Sequence, residues 1–310
     1  MMIPGASLSS TAFAHSGGKV SDSGNVFQSI SQSNSISASN SGSGGSASAD
    51  HNTQSNDAAN VASVDIHNGG SHDKGKSGHH DKGGSIKGSG NVVQSIDQSN
   101  SISASNSGSG GKASADFNTQ SNDAANIASV DIYNHGGGKI KDSGNVLQAI
   151  GQSNSITATN TGNGGSASAD FNTESNDAAN IASVDISNHG GYHGGKIKDS
   201  GNVLQLIGQS NSITATNSPP PTLLVCLIGI SCGSACADFN TQSNDAANIA
   251  SVDIHNHGGT IKDSSNVAQL IAQANSINAT NTGNGGSASA DFTSQNNTAI
   301  NFADVHIGNH

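Results

Sequence analysis

The chain has 310 residues, a net charge of −11 and no Arg. That balance provides no basic stripe for a nucleic-acid backbone and no polybasic contact for an anionic membrane surface. Only 32% of the residues are hydrophobic and 3% aromatic, Trp is absent and Gly numbers 40, which excludes a close-packed core of large side chains.

In chain order, residues 1–14 come first. They end in Ala12-Phe13-Ala14 after an Ala- and Ser-rich run. This small-x-small pattern is that of a signal-peptidase site, so 1–14 is expected to be a residual secretion signal and the protein to be secreted, extracellular or at the cell surface. Residues 15–24 read as a linker. No stretch reaches the roughly 18 apolar residues of a membrane span.

From Asn25 the chain repeats itself. An Asn-Val pair opens each copy at Asn25, Asn91, Asn145, Asn202 and Asn266, and Val-Asp-Ile or a variant closes it at Ile66, Ile132, Ile186, Ile254 and Ile307. The copies are 25–66, 91–132, 145–186, 202–254 and 266–307, with linkers at 67–90, 133–144, 187–201 and 255–265. Four of them share one length of 42 residues; the fourth is longer by an insertion within 218–236. A fixed copy length with variable linkers marks the copy as the structural unit.

Within a copy the period is 2. Ile156 and Ala158 alternate with polar residues, as do Ala167, Ala169 and Phe171, and then Ala182, Val184 and Ile186. Such alternation predicts half-buried strands with these residues inward. "TGNGG" (161–165) and "SND" (175–177) predict turns. Each copy then reads as strand–turn–strand, a Gly-rich turn, and strand–turn–strand. Gln32 is echoed at Gln54, Gln98 at Gln120 and Gln152 at Glu174, each 22 positions on, so a unit of about 20 residues is used twice per copy.

A hairpin of this size is not stable alone. Stacked copies would place like side chains in register about 4.8 Å apart, where Asn and Gln amides hydrogen-bond along the stack. The predicted fold is all-β: a repetitive, cross-β-like β-solenoid of stacked strand–turn–strand units, five copies of a 42-residue unit. The residues expected to stack are Gln28, Gln32, Asn34, Gln54 and Asn60 in the first copy; Gln94, Gln98, Asn100, Gln120 and Asn126 in the second; Gln148, Gln152, Asn154 and Asn180 in the third. In the fourth they are Gln205, Gln209, Asn211, Gln242 and Asn248, and in the fifth Gln273 and Asn275. Pro4, Pro219, Pro220 and Pro221 all avoid the repeat strands, where each would remove a ladder bond.

The linkers hold most of the histidines. His72, His79 and His80 beside Asp73 and Asp81 are weak candidates for Zn, Ni or Cu, but their spacing is irregular, and soluble spacers are the plainer reading. The insertion carries the apolar "TLLVCLIGI" (222–230) and the three cysteines, Cys226, Cys232 and Cys236. It could be a disulfide-closed hairpin at the coil edge or a tract without a role. Asp57, Asp123, Asp177 and Asp245 recur at the same predicted turn, which suggests Asx turns. No nucleophile triad, metalloprotease motif or phosphate loop stands out, so neither an enzyme nor a cofactor is expected.

The stretches "GNVLQAIGQSNSITATN" (144–160) and "FNTESNDAANIASVDI" (171–186) resemble the curlin-type and Fap-type functional-amyloid repeats of bacterial biofilm fibres. The resemblance covers all five copies. It implies a secreted structural protein that self-assembles into extracellular amyloid-like fibres for biofilm matrix, adhesion or surface attachment. Its partners would be further copies of itself and dedicated secretion and nucleation proteins. Two alternatives are a disordered repetitive surface adhesin and an ice- or surface-binding β-solenoid using "TATNT" (157–161), a row that becomes Ser-x-Ser in the first two copies.

Overall fold

The structure, a computed structural model, describes residues 5–14, 18–69, 84–135, 138–189, 195–218, 233–282 and 286–309. Among these residues all regular secondary structure is β, in 21 strands. A single strand, β1 (Gly5–Ala14), precedes five coils of four strands each. The first coil is β2 (Lys19–Ser21), β3 (Val26–Asn40), β4 (Ala47–Ser48) and β5 (Thr53–Asn68). The second is β6 (Ser85–Lys87), β7 (Val92–Asn106), β8 (Lys112–Ser114) and β9 (Thr119–His135). The third is β10 (Lys139–Lys141), β11 (Val146–Asn160), β12 (Ser166–Ser168) and β13 (Thr173–His189). The fourth is β14 (Gly195–Lys198), β15 (Val203–Asn217), β16 (Ser234–Cys236) and β17 (Thr241–Asn256). The fifth is β18 (Gly259–Lys262), β19 (Val267–Asn281), β20 (Ser287–Ser289) and β21 (Ser294–Asn309).

Each strand pairs in parallel with its counterpart one coil away, so the coils stack into four sheets: β1-β5-β9-β13-β17-β21, β19-β15-β11-β7-β3, and two narrow ones built from the short strands. Pairing is in register by sequence position within the copy: Gln148 lies on Gln94 and Gln205, and Asn180 on Asn126 and Asn248. The fold is the repetitive β-solenoid that the alternation predicts.

Three details differ from the sequence reading. First, Ser175–Asp177 is not a turn but lies inside β13, and the equivalent Asp57, Asp123 and Asp245 lie inside β5, β9 and β17. The local turn preference of Ser-Asn-Asp yields to the ladder that the central Asn joins. The first half-copy is thus one long strand, and the second is a short strand and a long one separated at 169–172 rather than at 175–177. Secondly, the two halves face each other across a coil. Asn34 Nδ2 donates to Asn56 Oδ1, 22 positions on, at 2.9 Å, and Asn154 to Asn176 at 3.1 Å. The 22-residue echo reports facing strands, not stacked layers. Thirdly, Phe171 points outward and is 48% exposed. The short strand ends at Ser168, and a left-handed residue at Phe171 (φ 58°) reverses the parity.

The stretches between copies also contribute to the wall. β6, β10, β14 and β18 fall in 67–90, 133–144, 187–201 and 255–265, and Ile86, Ile140 and Ile197 from three of them are fully buried. A coil is therefore a copy plus the short strand before it.

The interior is layered. One end holds Val26, Ala62, Val64, Ile66 and their counterparts, packed on Ile86, Ile140 and Ile197. The middle holds Ile96, Ile150 and Ile207 against Ala124, Ala178 and Ala246. The far end holds Ile102, Ile156 and Ile213 with a column of Ala. Side chains this small fill the gap between two closely spaced sheets, which accounts for the Ala-rich composition. Amide ladders separate the apolar layers.

Candidate assembly interface

Every inward Gln and Asn on the long strands belongs to a column. Gln94, Gln148, Gln205 and Gln269 each donate through Nε2 to Oε1 of the Gln one coil earlier, beginning at Gln28, at 2.8–2.9 Å. Gln98, Gln152, Gln209 and Gln273 do the same, beginning at Gln32, at 2.9 Å. The Asn columns run the other way. Asn34 donates to Asn100, Asn100 to Asn154, Asn154 to Asn211 and Asn211 to Asn275, at 3.1–3.2 Å. Asn60, Asn126, Asn180 and Asn248 donate in turn up to Asn301, all at 3.0 Å.

The second proton of these amides reaches the facing strand. Gln148 Nε2 also donates to the Ile181 carbonyl at 2.9 Å, and Asn180 Nδ2 to that of Leu206 at 3.0 Å. One side chain thus ties coil to coil and sheet to sheet. Amides suit this position because a donor and an acceptor stand on one planar group. The Gln54 column is the exception. Gln120 donates to Gln54 at 2.8 Å and Gln295 to Gln242 at 3.0 Å, but the third coil carries Glu174, fully buried, whose carboxyl is pushed up to about 8 by burial.

Sequence reasoning missed several columns. Asn56, Asn122, Asn176, Asn244 and Asn297 form a second Asn ladder that zigzags with the Asn34 column. Gln269, Gln295 and Asn301 continue the ladders in the fifth coil, and alignment with earlier copies would have found them. On the outside, His51, Phe117, Phe171, Phe239 and Phe292 stack with centroids 4.8–4.9 Å apart, all at positive φ. The recurrent "ADFN" is the sequence signal for that stack. The four recurrent Asp form an outward column beside Ala59, Ala125, Ala179 and Ala247, and burial together with repulsion from their neighbours raises Asp123 and Asp177.

His72, His79, His80, Cys226, Cys232 and most of the insertion lie outside the described residues. Cys236 carries a free thiol in β16, in register with Ser168 and Ser289.

The two ends of the stack differ. At the C-terminal end, Val305 and Ile307 are 42% and 49% exposed, whereas Val252 and Ile254 one coil earlier are 1% and 0% exposed. At the N-terminal end, β1 pairs with Ala59–Asn68 of β5. It places Ala6 against Asn60 and Ala14 against Asn68, and these residues cannot continue an amide ladder. The Asn60 and Asn68 Oδ1 atoms are left buried without a hydrogen-bond donor. No family model, curated protein or solved structure matches the chain.

Proposed function

We propose that the protein is a structural subunit that polymerises head to tail into fibres by continuing its own coil stack, as the resemblance to curlin-type and Fap-type repeats implies. The observation that carries the reading is the pair of unsatisfied acceptors beneath β1. In the next coil position of that sheet, a docking copy would place Asn301 over Asn60 and Asn309 over Asn68. In both columns each Asn Nδ2 donates to the next Oδ1, so the docked copy supplies the two missing donors. The same contact would cover Val305 and Ile307. An interface joining opposite ends of identical chains does not close, so it propagates as a filament. β1 occupies the place of residues 300–309 of a docking copy, so its removal or displacement precedes docking. Cleavage after Ala14 during secretion would achieve that, and an extracellular fibre of matrix or attachment type fits this order of events.

The test is assembly of a chain beginning after Ala14. Filaments with a meridional reflection near 4.8 Å and hydrogen-exchange protection of Ala299–Ile307 on polymerisation are expected. A chain that remains monomeric at high concentration overturns the proposal.

A second reading is favoured by the outer face of the sheet built on β11. Ser153, Ser155, Thr157 and Thr159 point outward and stack on Ser99, Ser101, Ser103 and Ser105. The Ser-x-Ser rows therefore continue the hydroxyl columns rather than breaking them, with rows about 4.8 Å apart and columns about 6.7 Å apart. Such a lattice suits ice or another ordered surface, and ice-crystal shaping by the monomer tests it.

A further inference from the structure

Near its end, the sheet containing β17 and β21 carries an outward column of Asp65, Asp131, Asp185 and Asp253, which stops at His306. Two residues further along the strands, a neighbouring column holds His67, Tyr133, Ser187 and His255. Among the described residues, a carboxylate and two imidazoles come together only at the fourth and fifth coils. One ligand atom from each of Asp253, His255 and His306 lies within 4.8 Å of the others, and no second such group occurs among the described residues.

We infer that Asp253, His255 and His306 form a binding site for a divalent ion of the borderline class, Zn²⁺, Ni²⁺ or Cu²⁺. The donor set is two imidazole nitrogens and one carboxylate oxygen, which these ions accept. The geometry suits a shared ion. His255 Nε2 lies 3.1 Å from Asp253 Oδ1, and that oxygen is buried with no hydrogen-bond partner, a feature it shares with Asp65 Oδ1 beside His67, so the second imidazole is what sets this group apart. Two donors each about 2.1 Å from one ion, at tetrahedral angles, stand about 3.4 Å apart and point at the ion rather than at each other. In addition, the His255 and His306 rings meet at 61° with centroids 5.6 Å apart, while the other outward ring pairs are stacked or tilted at lower angles. Parallel stacked rings cannot aim two nitrogens at one point; rings at a steep angle can.

The pair Asp65 and His67 is an internal comparison. His67 Nε2 lies 2.7 Å from Asp65 Oδ1, but the next coil supplies Asp131 and Tyr133 where the fourth pair meets His306. That pair lacks a second imidazole. The ion at Asp253 would bridge β17 and β21 and fasten the terminal strand to the stack. Three protein ligands leave a fourth position for water or an outside ligand. Neither the site nor its occupancy depends on fibre formation.

The experiment is calorimetric titration of the full chain with ZnCl₂, in a background where His72, His79 and His80 are replaced by Ala so that the linker cannot contribute. One equivalent is expected to bind. His306→Ala or Asp253→Asn should weaken it at least tenfold, whereas His67→Ala should leave it unchanged. Zinc should also slow amide exchange of Phe302–Ile307, and His306→Ala should abolish that slowing. Circular dichroism of His306→Ala, a substitution at an exposed position, checks that the solenoid is intact. Absence of binding in the linker-substituted background, or equal binding by His306→Ala and the parent, overturns the site.

Discussion

Gln242 Nε2 donates to Glu174 Oε2 at 2.9 Å inside a column in which the other coils carry Gln. On the opposite side of the same carboxyl, Glu174 Oε1 and Gln120 Oε1 are both buried without a donor. Two acceptors face each other there when the carboxyl is ionised. A proton on Glu174 satisfies both, because the acid then donates where an amide would.

Burial holds Glu174 near 8 in the folded chain, against 4.5 for an exposed carboxyl. Below the unfolded value both states are protonated and the group costs nothing. As pH rises above it, the unfolded chain releases the proton while the folded chain keeps it, so stability falls between about pH 4.5 and 8, by up to on the order of 5 kcal/mol. Glu174→Gln restores the ladder and removes this loss. Urea unfolding of the two proteins should coincide near pH 4 and diverge by pH 8, with the variant more stable. Parallel curves across that range would show that Glu174 is solvated.

The ladders and the coil stack were legible because they depend on residue type at a fixed place in a repeated phrase. Gln152 and Asn154 sit on the same parity as Ile150 and Ile156, so inward placement follows from the period alone. What the phrase hides is the outcome of competition between local and stacked preference. Ser175–Asp177 has turn chemistry, yet Asn176 has an Asn above and below it, and four ladder bonds outweigh one turn. Phe171 continues the parity of Ala167 and Ala169 on paper, and one left-handed residue sends it outward. Glu174 reads as a neutral variation of Gln until burial makes its charge costly. The placement of β1 was hidden as well, because it pairs by shape and backbone with a segment it does not match.

Replacing Asn154 with Ala tests the ladder itself. Asn154 accepts from Asn100 and Asn122 and donates to Asn211, Asn176 and the Ser175 carbonyl. Its loss leaves several buried groups unpaired, and a cost of about 2–4 kcal/mol is expected. Lys139→Ala, on an exposed side chain at the coil surface, should cost under about 0.5 kcal/mol. Chemical denaturation of both variants decides the matter, and similar losses would mean that water replaces the ladder bonds freely. In the polymerising chain, Gln152→Ala together with Asn154→Ala and their counterparts should slow assembly more than changes at Lys139, Lys141 and His135.

The Phe column sets stacking against backbone strain. Phe171 adopts φ 58° and lies 4.9 Å and 4.8 Å from the Phe117 and Phe239 rings. Left-handed backbone costs a non-glycine residue on the order of 1–2 kcal/mol, and an aromatic contact returns about 0.5–1.5 kcal/mol. Phe171→Ala keeps the strain and loses two contacts; Phe171→Gly loses the same contacts but relieves the strain. The Ala variant should therefore melt lower than the Gly variant, and the reverse order would show that the φ value is not maintained in solution.

Removing β1 should expose Ala59–Asn68 of β5, the part that it covers. A chain lacking residues 1–14 should polymerise faster than the full chain. A full chain with Ala6→Asn and Ala14→Asn should polymerise more slowly still, because Asn then stands in register with Asn60 and Asn68 as it does in the other layers of that sheet. Thioflavin fluorescence and light scattering at equal concentration give the order of rates. Equal rates for all three would show that β1 does not guard this end.

The last prediction separates the copy from the coil. Deleting 145–186 removes a whole copy but leaves both neighbouring short strands, β10 and β14, in sequence before β15. The third sheet position would then be offered two strands with Ile140 and Ile197 competing for one buried place. Deleting 145–201 joins Gly144 to Asn202, which is the natural junction between a short strand and the next long one. It removes one complete layer and brings β7 against β15, and β9 against β17, in matching register. Stability in a stacked array is a sum of layer and interface terms, so the second deletion should fold with a modestly lower melting temperature. The first should lose more and expose apolar surface to a hydrophobic dye. Pro in place of Ile156 and Ile181, which keeps every layer but breaks two central strands, should be worse than either deletion. If 145–186 can be deleted as harmlessly as 145–201, the short strands are ornaments on the coil and not one of its walls.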